Sequence, residues 1–507
     1  MTRVAVATTS QLAADAAAEI ADAGGNAVDC AIAAAMLATN TEPGVCALAG
    51  SAYVTVWPAD SEPITIDGNV SVPGKGLPQG YEISGAVPVS MDYGGGIETL
   101  VGVGSVAVPG SLAALEQAST QYGNVSWQQL LDPTIRATKQ GFALSAACNF
   151  YLQYSGDVVF GRSEDGHAAL HDENGSLLEA QSLILIPHLA DSLSAIASEG
   201  ARIFYAGEIA SRIADHVQES GGALTLEDLQ SYEPITRKSL CADLDDWRIA
   251  SNPPPAVGGA VLAAMLLAFR DRPASRWDDE SIRHLVSVQQ AALSYRKVNL
   301  DLADDVAVAV DNMLEKSRSG ALLSQYASAS TVHTSVVDDT GLACAITTSS
   351  GYGAGEMPSG TGLWLNNCLG ELELNRKGLD AGPPGVRLPS NMAPGVARSR
   401  NQVVAVGSPG ADRITTALHQ FLINFIQIGL PLADAVAHPR AHLEISDEGL
   451  NLAVEPGLDM PDLGIPVTPY PSIGMYFGGV GAALYDTRSG FEVAADPRRE
   501  GGTYISG

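Results

Sequence analysis

The stretch with the most obvious capacity for chemistry is Ser330-Thr331-Val332-His333-Thr334-Ser335-Val336-Val337-Asp338, crowded with hydroxyl groups and carrying one imidazole, with the run Leu365-Asn366-Asn367 following later. A hydroxyl becomes a useful nucleophile only when a nearby base accepts its proton. Taken alone, a Thr-x-His at the start of a strand is an ordinary β-forming pattern, because branched and hydroxyl side chains suit a pleated, half-buried surface. Partners elsewhere in the chain are needed to make it a site. Other chemistries find little support. Six cysteines (Cys30, Cys46, Cys148, Cys241, Cys344, Cys368) have neither C-x-x-C spacing nor clustering, which argues against a zinc site or a disulfide scaffold and for buried thiols. The glycine-rich runs contain no GxxxxGK(S/T) and no convincing GxGxxG between strand and helix, so no nucleotide loop is read.

The elements that must position Thr331 follow from periodicity. From Thr331 the sequence turns to strand character, with Thr331, His333, Ser335 and Val337 on one face and Val332, Thr334 and Val336 on the other. Asp339-Thr340-Gly341 can turn the chain and 342–349 can return as a second strand. Far upstream, 11–38 reads as two alanine-rich helices divided at Gly24-Gly25-Asn26, the second starting near Ala27 and lacking a polar face, as a helix sandwiched between layers does. Residues 51–57 and 63–66 read as strands, 71–104 as irregular with Gly94-Gly95-Gly96 inside it, and 111–230 as helical with polar breaks around 156–175. Pro253-Pro254-Pro255 and Gly258-Gly259 mark a corner before a helix over 260–270. Strands and helices in separate blocks favour a layered α+β sandwich over βαβ alternation.

The 507 residues, 46% of them hydrophobic, can bury a large core. The 57 acidic against 28 basic side chains give a net charge of -29, which repels phosphate backbones and anionic membrane surfaces, so neither nucleic acid nor membrane is an expected partner. The apolar run Val4 to Ala7 is too short for a signal-peptide core, and the expectation is a cytoplasmic protein.

Read in order, several segments resemble the gamma-glutamyltranspeptidase family along almost the whole chain. GGNAVDCAIAAAML at Gly24 to Leu37 is similar to that family's GGNAVDAAVAAAL, with Glu42-Pro43 after it, and VPGSLAALEQASTQYG at Val108 to Gly123 is similar to VPGTVAGL. FYAGEIA, GGALTLEDLQSY and NPPPAVGG match FYxGEIA, GGxLTxEDLxxY and PPPSSGG; GSPGADRITTAL at Gly407 to Leu418 resembles GSPGGSRIxTxxL, and ADPRREG resembles the closing ADPRRDG.

The resemblance implies an N-terminal-nucleophile hydrolase: a four-layer αββα sandwich, α+β in class, made as one proenzyme and cut at Ser330-Thr331. The products, 1–330 and 331–507, would stay together as a heterodimer within one αββα domain, which can dimerise further. A threonine that becomes N-terminal carries its own base, an α-amine of pKa near ~8, so no cofactor or metal is implied. Thr331 is then the nucleophile, Ser349 matches a threonine that tunes it, and the backbone N–H groups of Gly410-Ala411 match an oxyanion-binding Gly-Gly pair. The implied partner is a small-molecule substrate bearing an amide or γ-glutamyl-like bond.

The recognition residues depart from the family. Its carboxylate-reading arginine, in a DGRE run, is Asn69 in Asp67-Gly68-Asn69-Val70, and an asparagine supplies no bidentate cation. The NNQMDDF run reads Asn366-Asn367-Cys368-Leu369-Gly370-Glu371-Leu372, so Cys368 replaces an amide while Glu371 keeps a carboxylate. A family asparagine is Gly351, a serine pair is Ser390-Asn391, and Arg387 is the nearby candidate for a replacement cation. Two further readings stand beside amide hydrolysis. One is cleavage of an oxalyl C–C bond, as in divergent members serving alkylproline antibiotic pathways, or of an oxamate-type amide. The other is a non-catalytic protein that has kept the fold.

Overall fold

The computed structural model describes residues 2–92, 96–270, 272–318, 331–446 and 449–507. Ser330, one half of the expected cleavage site, and Gly94-Gly95 lie outside the described residues.

Among the described residues, thirteen strands build the centre. Before the nucleophile segment come β1 (Val4–Thr8), β2 (Ser51–Trp57), β3 (Ile64–Gly68), β4 (Ile235–Lys238), β5 (Leu240–Leu244) and β6 (Trp247–Ser251). After it come β7 (Val332–Asp338), β8 (Ala343–Ser349), β9 (Gly395–Arg398), β10 (Gln402–Gly407), β11 (Gly481–Asp486), β12 (Gly490–Ala494) and β13 (Gly502–Ile505). One sheet runs β13-β1-β7-β8-β2-β3-β4 and the other β12-β11-β10-β9-β6-β5, with every pairing in both antiparallel. Each sheet mixes strands from both sides of Thr331, so 1–330 and 331–507 are interleaved in one fold.

The sheets pack face to face over Ala5, Ala250, Ala343, Ala345, Ala405 and Ala483, with Val337, Val396 and Val403 among them. Alanine at so many facing positions keeps the inter-sheet layer thin. The helices α1 (Gln11–Asp22), α2 (Ala27–Thr41), α3 (Ser111–Tyr122) and α4 (Trp127–Gln140) cover the outer face of the first sheet. On the other sheet lie α5 (Gly258–Arg270), α6 (Asp279–Asn299), α7 (Val306–Arg318) and α8 (Arg413–Leu422). This is the expected αββα sandwich, in which each helical layer buries an apolar stripe on one sheet face.

Local details follow the sequence closely. Every residue of α2 is buried, because sheet and helices enclose it. Its start is fixed by a reciprocal cap: the Asn26 Oδ1 accepts from the Asp29 N–H at 3.1 Å, and the Asp29 Oδ2 accepts from the Asn26 N–H at 2.9 Å. One expectation fails. The stretch 71–104, read as irregular, contains the paired strands Val87–Met91 and Ile97–Val101. The first carries alternate apolar residues at Val87, Val89 and Met91, which the surrounding glycine and proline obscured.

His333 couples the two sheets beneath the site. Its Nε2 contacts the Ser335 hydroxyl at 2.7 Å and its Nδ1 the Thr347 hydroxyl at 2.8 Å. Ser335 donates to the Gly481 carbonyl at 3.0 Å, so it accepts from Nε2–H, and Nδ1 is left to accept from Thr347. A Cβ on Gly407 would come within 2.1 Å of the imidazole, so only glycine on β10 allows this approach. Burial pushes the imidazole down to about 3, so the ring is neutral and acts as a strut.

Candidate active site

Thr331 sits at the head of β7, 2% exposed, and the β7–β8 register, which pairs Val332 with Thr348, carried one step further sets Thr331 opposite Ser349. Ser349 in turn lies opposite Ser51 on β2, so three adjacent strands bring three hydroxyl residues to one end of the sheet. All three line one pocket, and Ala411 lines the same pocket from the turn after β10. The sequence from Thr331 to Ala411 thus converges because hairpin register and the inter-sheet packing leave those ends of the strands side by side.

The Gly410-Ala411 turn has a left-handed backbone, with φ of 119° at Gly410 and 65° at Ala411. A Cβ on Gly410 would lie 2.6 Å from the Gly478 Cα, so glycine is required there. Two neighbours hold the turn: the Ser408 hydroxyl accepts from the Gly479 N–H at 3.0 Å, and Asp412, which opens α8, is ion-paired to Arg296 of α6 at 2.8 Å. Consecutive N–H groups in such a turn make a nest able to face a developing oxyanion.

The same pocket is lined by the candidate recognition residues. Asn69, Cys368, Glu371, Ser390 and Asn391 all line the pocket. Asn69 is fully engaged within the protein: its Oδ1 accepts from the Ser51 hydroxyl at 2.8 Å and its Nδ2 donates to the Leu388 carbonyl at 2.6 Å. It therefore acts as a structural tie. Gly351 sits behind the wall, at φ 66°, where an added Cβ would come within 2.3 Å of the Asn367 Oδ1 and 2.9 Å of the Glu371 carboxyl group. The two departures noted in the sequence are one arrangement: the Glu371 carboxyl group occupies the space that a side chain at 351 would need.

Arg387 lies elsewhere. Its guanidinium stacks 4.2 Å over the Tyr232 ring, donates to the Glu233 carbonyl at 2.6 Å and is ion-paired with Asp67 at 3.7 Å. It faces a neighbouring groove that shares Pro389 with the pocket, and is absent from the pocket wall. Among the described residues, the lining of the pocket includes no lysine or arginine. Glu371 is accordingly without a cation. Burial, and then the charge of Glu373, push its carboxyl up to about 8, against a smaller opposing hydrogen bond with Cys368. Burial also raises the Cys368 thiol well above its usual range, with Glu371 adding to the effect, so Cys368 is a neutral wall residue and no thiolate.

Arg296 and Asp412 were not singled out by sequence reasoning. A signal existed: Asp412 in GSPGADRI occupies the position of serine in GSPGGSRI. Its partner Arg296 is 116 residues away and carries no motif.

Comparison with known proteins gives the following. The family model described as gamma-glutamyltranspeptidase matches residues 13–506. A glutathione hydrolase proenzyme of Escherichia coli (strain K12) is 28% identical, over 88% of this chain and 81% of that protein. The Acylase ACY 1 proenzyme of Pseudomonas sp. (strain V22) is 29% identical, over 87% of this chain and 82% of that protein. Among solved structures, cephalosporin acylase from Bacillus halodurans superposes with a TM-score of 0.81 at 23% identity, covering 99% of this chain and 96% of that one.

Proposed function

Since the chain belongs to the gamma-glutamyltranspeptidase family and is an enzyme of its hydrolase and acylase kind, we propose that it is an autoprocessing amide hydrolase whose nucleophile is Thr331. Cleavage of the Ser330-Thr331 bond converts the Thr331 backbone nitrogen into a primary amine. That amine takes the proton of the Thr331 hydroxyl as the oxygen attacks the substrate carbonyl. The tetrahedral oxyanion is held by the N–H groups of the Gly410-Ala411 turn, where each such donor typically contributes ~3 kcal/mol. Collapse expels the amine leaving group, protonated by the Thr331 ammonium, and leaves an ester on Thr331. Water, or an acceptor amine, then attacks that ester while the α-amine again serves as base. The two products of processing, 1–330 and 331–507, remain one heterodimeric unit; the relatives named proenzymes support this, as do two sheets that each interleave strands from both parts.

The observation that carries the proposal is the meeting of Thr331 and Ser349, at the end of one hairpin, with Ala411 of a distant turn in one pocket. Amide cleavage is favoured over the oxalyl C–C reading because an oxalyl group brings a carboxylate, and the wall offers Glu371 and no cation to receive it. The test is a denaturing gel with intact-mass analysis. Wild-type protein should separate into two chains and Thr331→Ala should stay as one, with kcat reduced by about 10⁴-fold or more. Incubation with a panel of γ-glutamyl, oxamate and other amide donors should single out the class that leaves an acyl adduct on Thr331. A single uncut chain that still turns over substrate would refute the proposal.

A further inference from the structure

The pocket contains a polar atom whose orientation is dictated from behind. Asp412 is a carboxylate, so its oxygens can only accept; its Oδ1 takes the Arg296 Nη1–H at 2.8 Å and the Asn391 Nδ2–H at 2.8 Å. The Arg296 Nε–H in turn donates to the Asp301 Oδ1 at 2.9 Å, and the side chains of Arg296, Asp301 and Asp412 are at most 2% exposed. Asp412 stays ionised in this setting: burial raises its carboxyl, and the charge of Arg296, helped by His442 and Arg413, outweighs that and brings it below its ordinary value.

The consequence falls on Asn391, which is 4% exposed and lines the pocket with Thr331. With Nδ2 committed to a carboxylate, its amide cannot flip, because flipping would set Oδ1 against Oδ1. Among the described residues, no group donates to the Asn391 Oδ1. Leaving a buried acceptor unsatisfied is unfavourable, so the site is complete only when something donates to it. Asn69, the other amide of the wall, has both ends engaged, and Glu371 likewise offers carboxyl oxygens with no cation beside them.

We infer that Asn391, locked by Asp412 and Arg296, is a specificity-determining acceptor, and that the enzyme takes acyl groups bearing an N–H donor near the bond to be cut rather than a carboxylate. The inference rests on the proposed Thr331 chemistry and names the class of acyl group for it. Asp412 and Arg296 are positioning residues, acting on substrate through Asn391.

Substitution of Asp412 tests the lock. Arg296 and Asn391 both donate to the Asp412 Oδ1, so Asp412→Ala removes the oxygen that holds the Asn391 Nδ2 and frees the amide to rotate, whereas Asp412→Asn keeps an amide oxygen able to take both bonds. The experiment compares kcat/KM for L-alanine p-nitroanilide with that for its desamino counterpart, propionyl p-nitroanilide. Wild-type enzyme should prefer the amine-bearing donor by about tenfold or more, the scale of one hydrogen bond to a charged group. In Asp412→Ala that preference should shrink by about tenfold and in Asp412→Asn it should persist, whereas general damage to the fold would lower both rates together. If Asp412→Ala does not fold, Asn391→Ser, which removes the amide and leaves the Arg296–Asp412 pair in place, should lose the same preference. Equal rates for the two donors in wild-type enzyme, or a preference unchanged in Asp412→Ala or Asn391→Ser, overturn the inference. Absence of any Thr331 acyl adduct with either donor, in a processed enzyme, would instead refute the nucleophile assignment, which separates the two failures.

Discussion

The two walls of the pocket are built differently. Thr331, Ser349 and Ser51 stand on three adjacent strands whose registers are continuous, and His333 fixes the underlying sheet to its neighbour. Asn69, Cys368, Glu371, Ser390 and Asn391 stand on segments outside the strands and helices, and hydrogen bonds tie Asn69 to Ser51 and Leu388, Cys368 to Asn366, and Asn391 to Asp412. A sheet tolerates little change at its centre, because shifting one strand shifts every pair. Loop segments tolerate change if each lost partner is replaced. That difference accounts for hydroxyls being kept at Thr331 and Ser349 while Asn69, Gly351, Cys368, Glu371 and Asn391 depart from the family pattern.

The largest effect expected from breaking this comparison comes from restoring an asparagine at one position only. In Gly351→Asn the new Cβ meets the Asn367 Oδ1, which accepts from the Tyr352 N–H at 2.7 Å, while the Asn367 Nδ2 is held by Thr99 and by the Leu100 carbonyl at 2.9–3.0 Å. Asn367 yields only by losing those bonds, and the Glu371 carboxyl, 2.9 Å from the new Cβ, must be displaced with it. A loss of about 100-fold in kcat/KM is expected, the scale of a displaced binding group. Adding Glu371→Asp, which shortens the side chain, should recover part of that loss. Strictly additive losses in the double variant would show that the two positions are independent.

A smaller effect sharpens the same contrast through pH. The Glu371 carboxyl is raised to about 8 by burial, so the folded enzyme holds its proton where the unfolded chain, with an ordinary value near 4.5, has released it. The sign follows: stability relative to Glu371→Gln is fully present below the unfolded value and is lost as pH rises through about 8. Thermal midpoints of the two proteins should therefore converge on the acid side and separate between pH 5 and about 8, with the wild type falling below Glu371→Gln. Glu42 and Asp301, raised to about 7 and about 6 by burial, are common to both proteins and cancel in the difference. Binding has the opposite trend: KM for an amine-bearing donor should fall as pH rises toward 8 and Glu371 ionises, while the KM of a desamino donor stays level. Parallel profiles for both donors would remove Glu371 from recognition.

The sequence made the nucleophile wall legible because its signals are local. The alternation from Thr331 to Val337, the turn at Asp339-Thr340-Gly341 and the cap at Asn26 each lie within a few residues. Val332 and Val336 do face the helices while Val337 faces the second sheet, as a period of two requires. The recognition wall was legible only as a set of exchanged letters. Sequence could name Arg387 as a candidate cation, but its direction depends on stacking against Tyr232 and pairing with Asp67. Likewise the Arg296–Asp412 pair spans 116 residues and leaves no periodic trace. Contacts that close at long range through irregular backbone are set by the completed fold, and a motif records only one partner.

The smallest effect tests the turn where the two walls meet. Ala411 holds φ at 65°, a left-handed conformation that costs an alanine about 1 kcal/mol and a glycine almost nothing. Ala411→Gly relieves that strain but enlarges the conformational freedom of the unfolded chain by a similar amount, about 0.4–1 kcal/mol. The two contributions oppose, so the thermal midpoint should move little. If the turn is held by its neighbours, through Asp412 on Arg296 and Ser408 on Gly479, its N–H groups stay aimed and kcat should remain within about threefold of wild type. KM can shift modestly, since the lost methyl group lines the pocket. A hundredfold fall in kcat would mean that the alanine side chain itself holds the oxyanion donors, and the burden of preorganisation would move from the ion pair behind the turn to the turn's own packing.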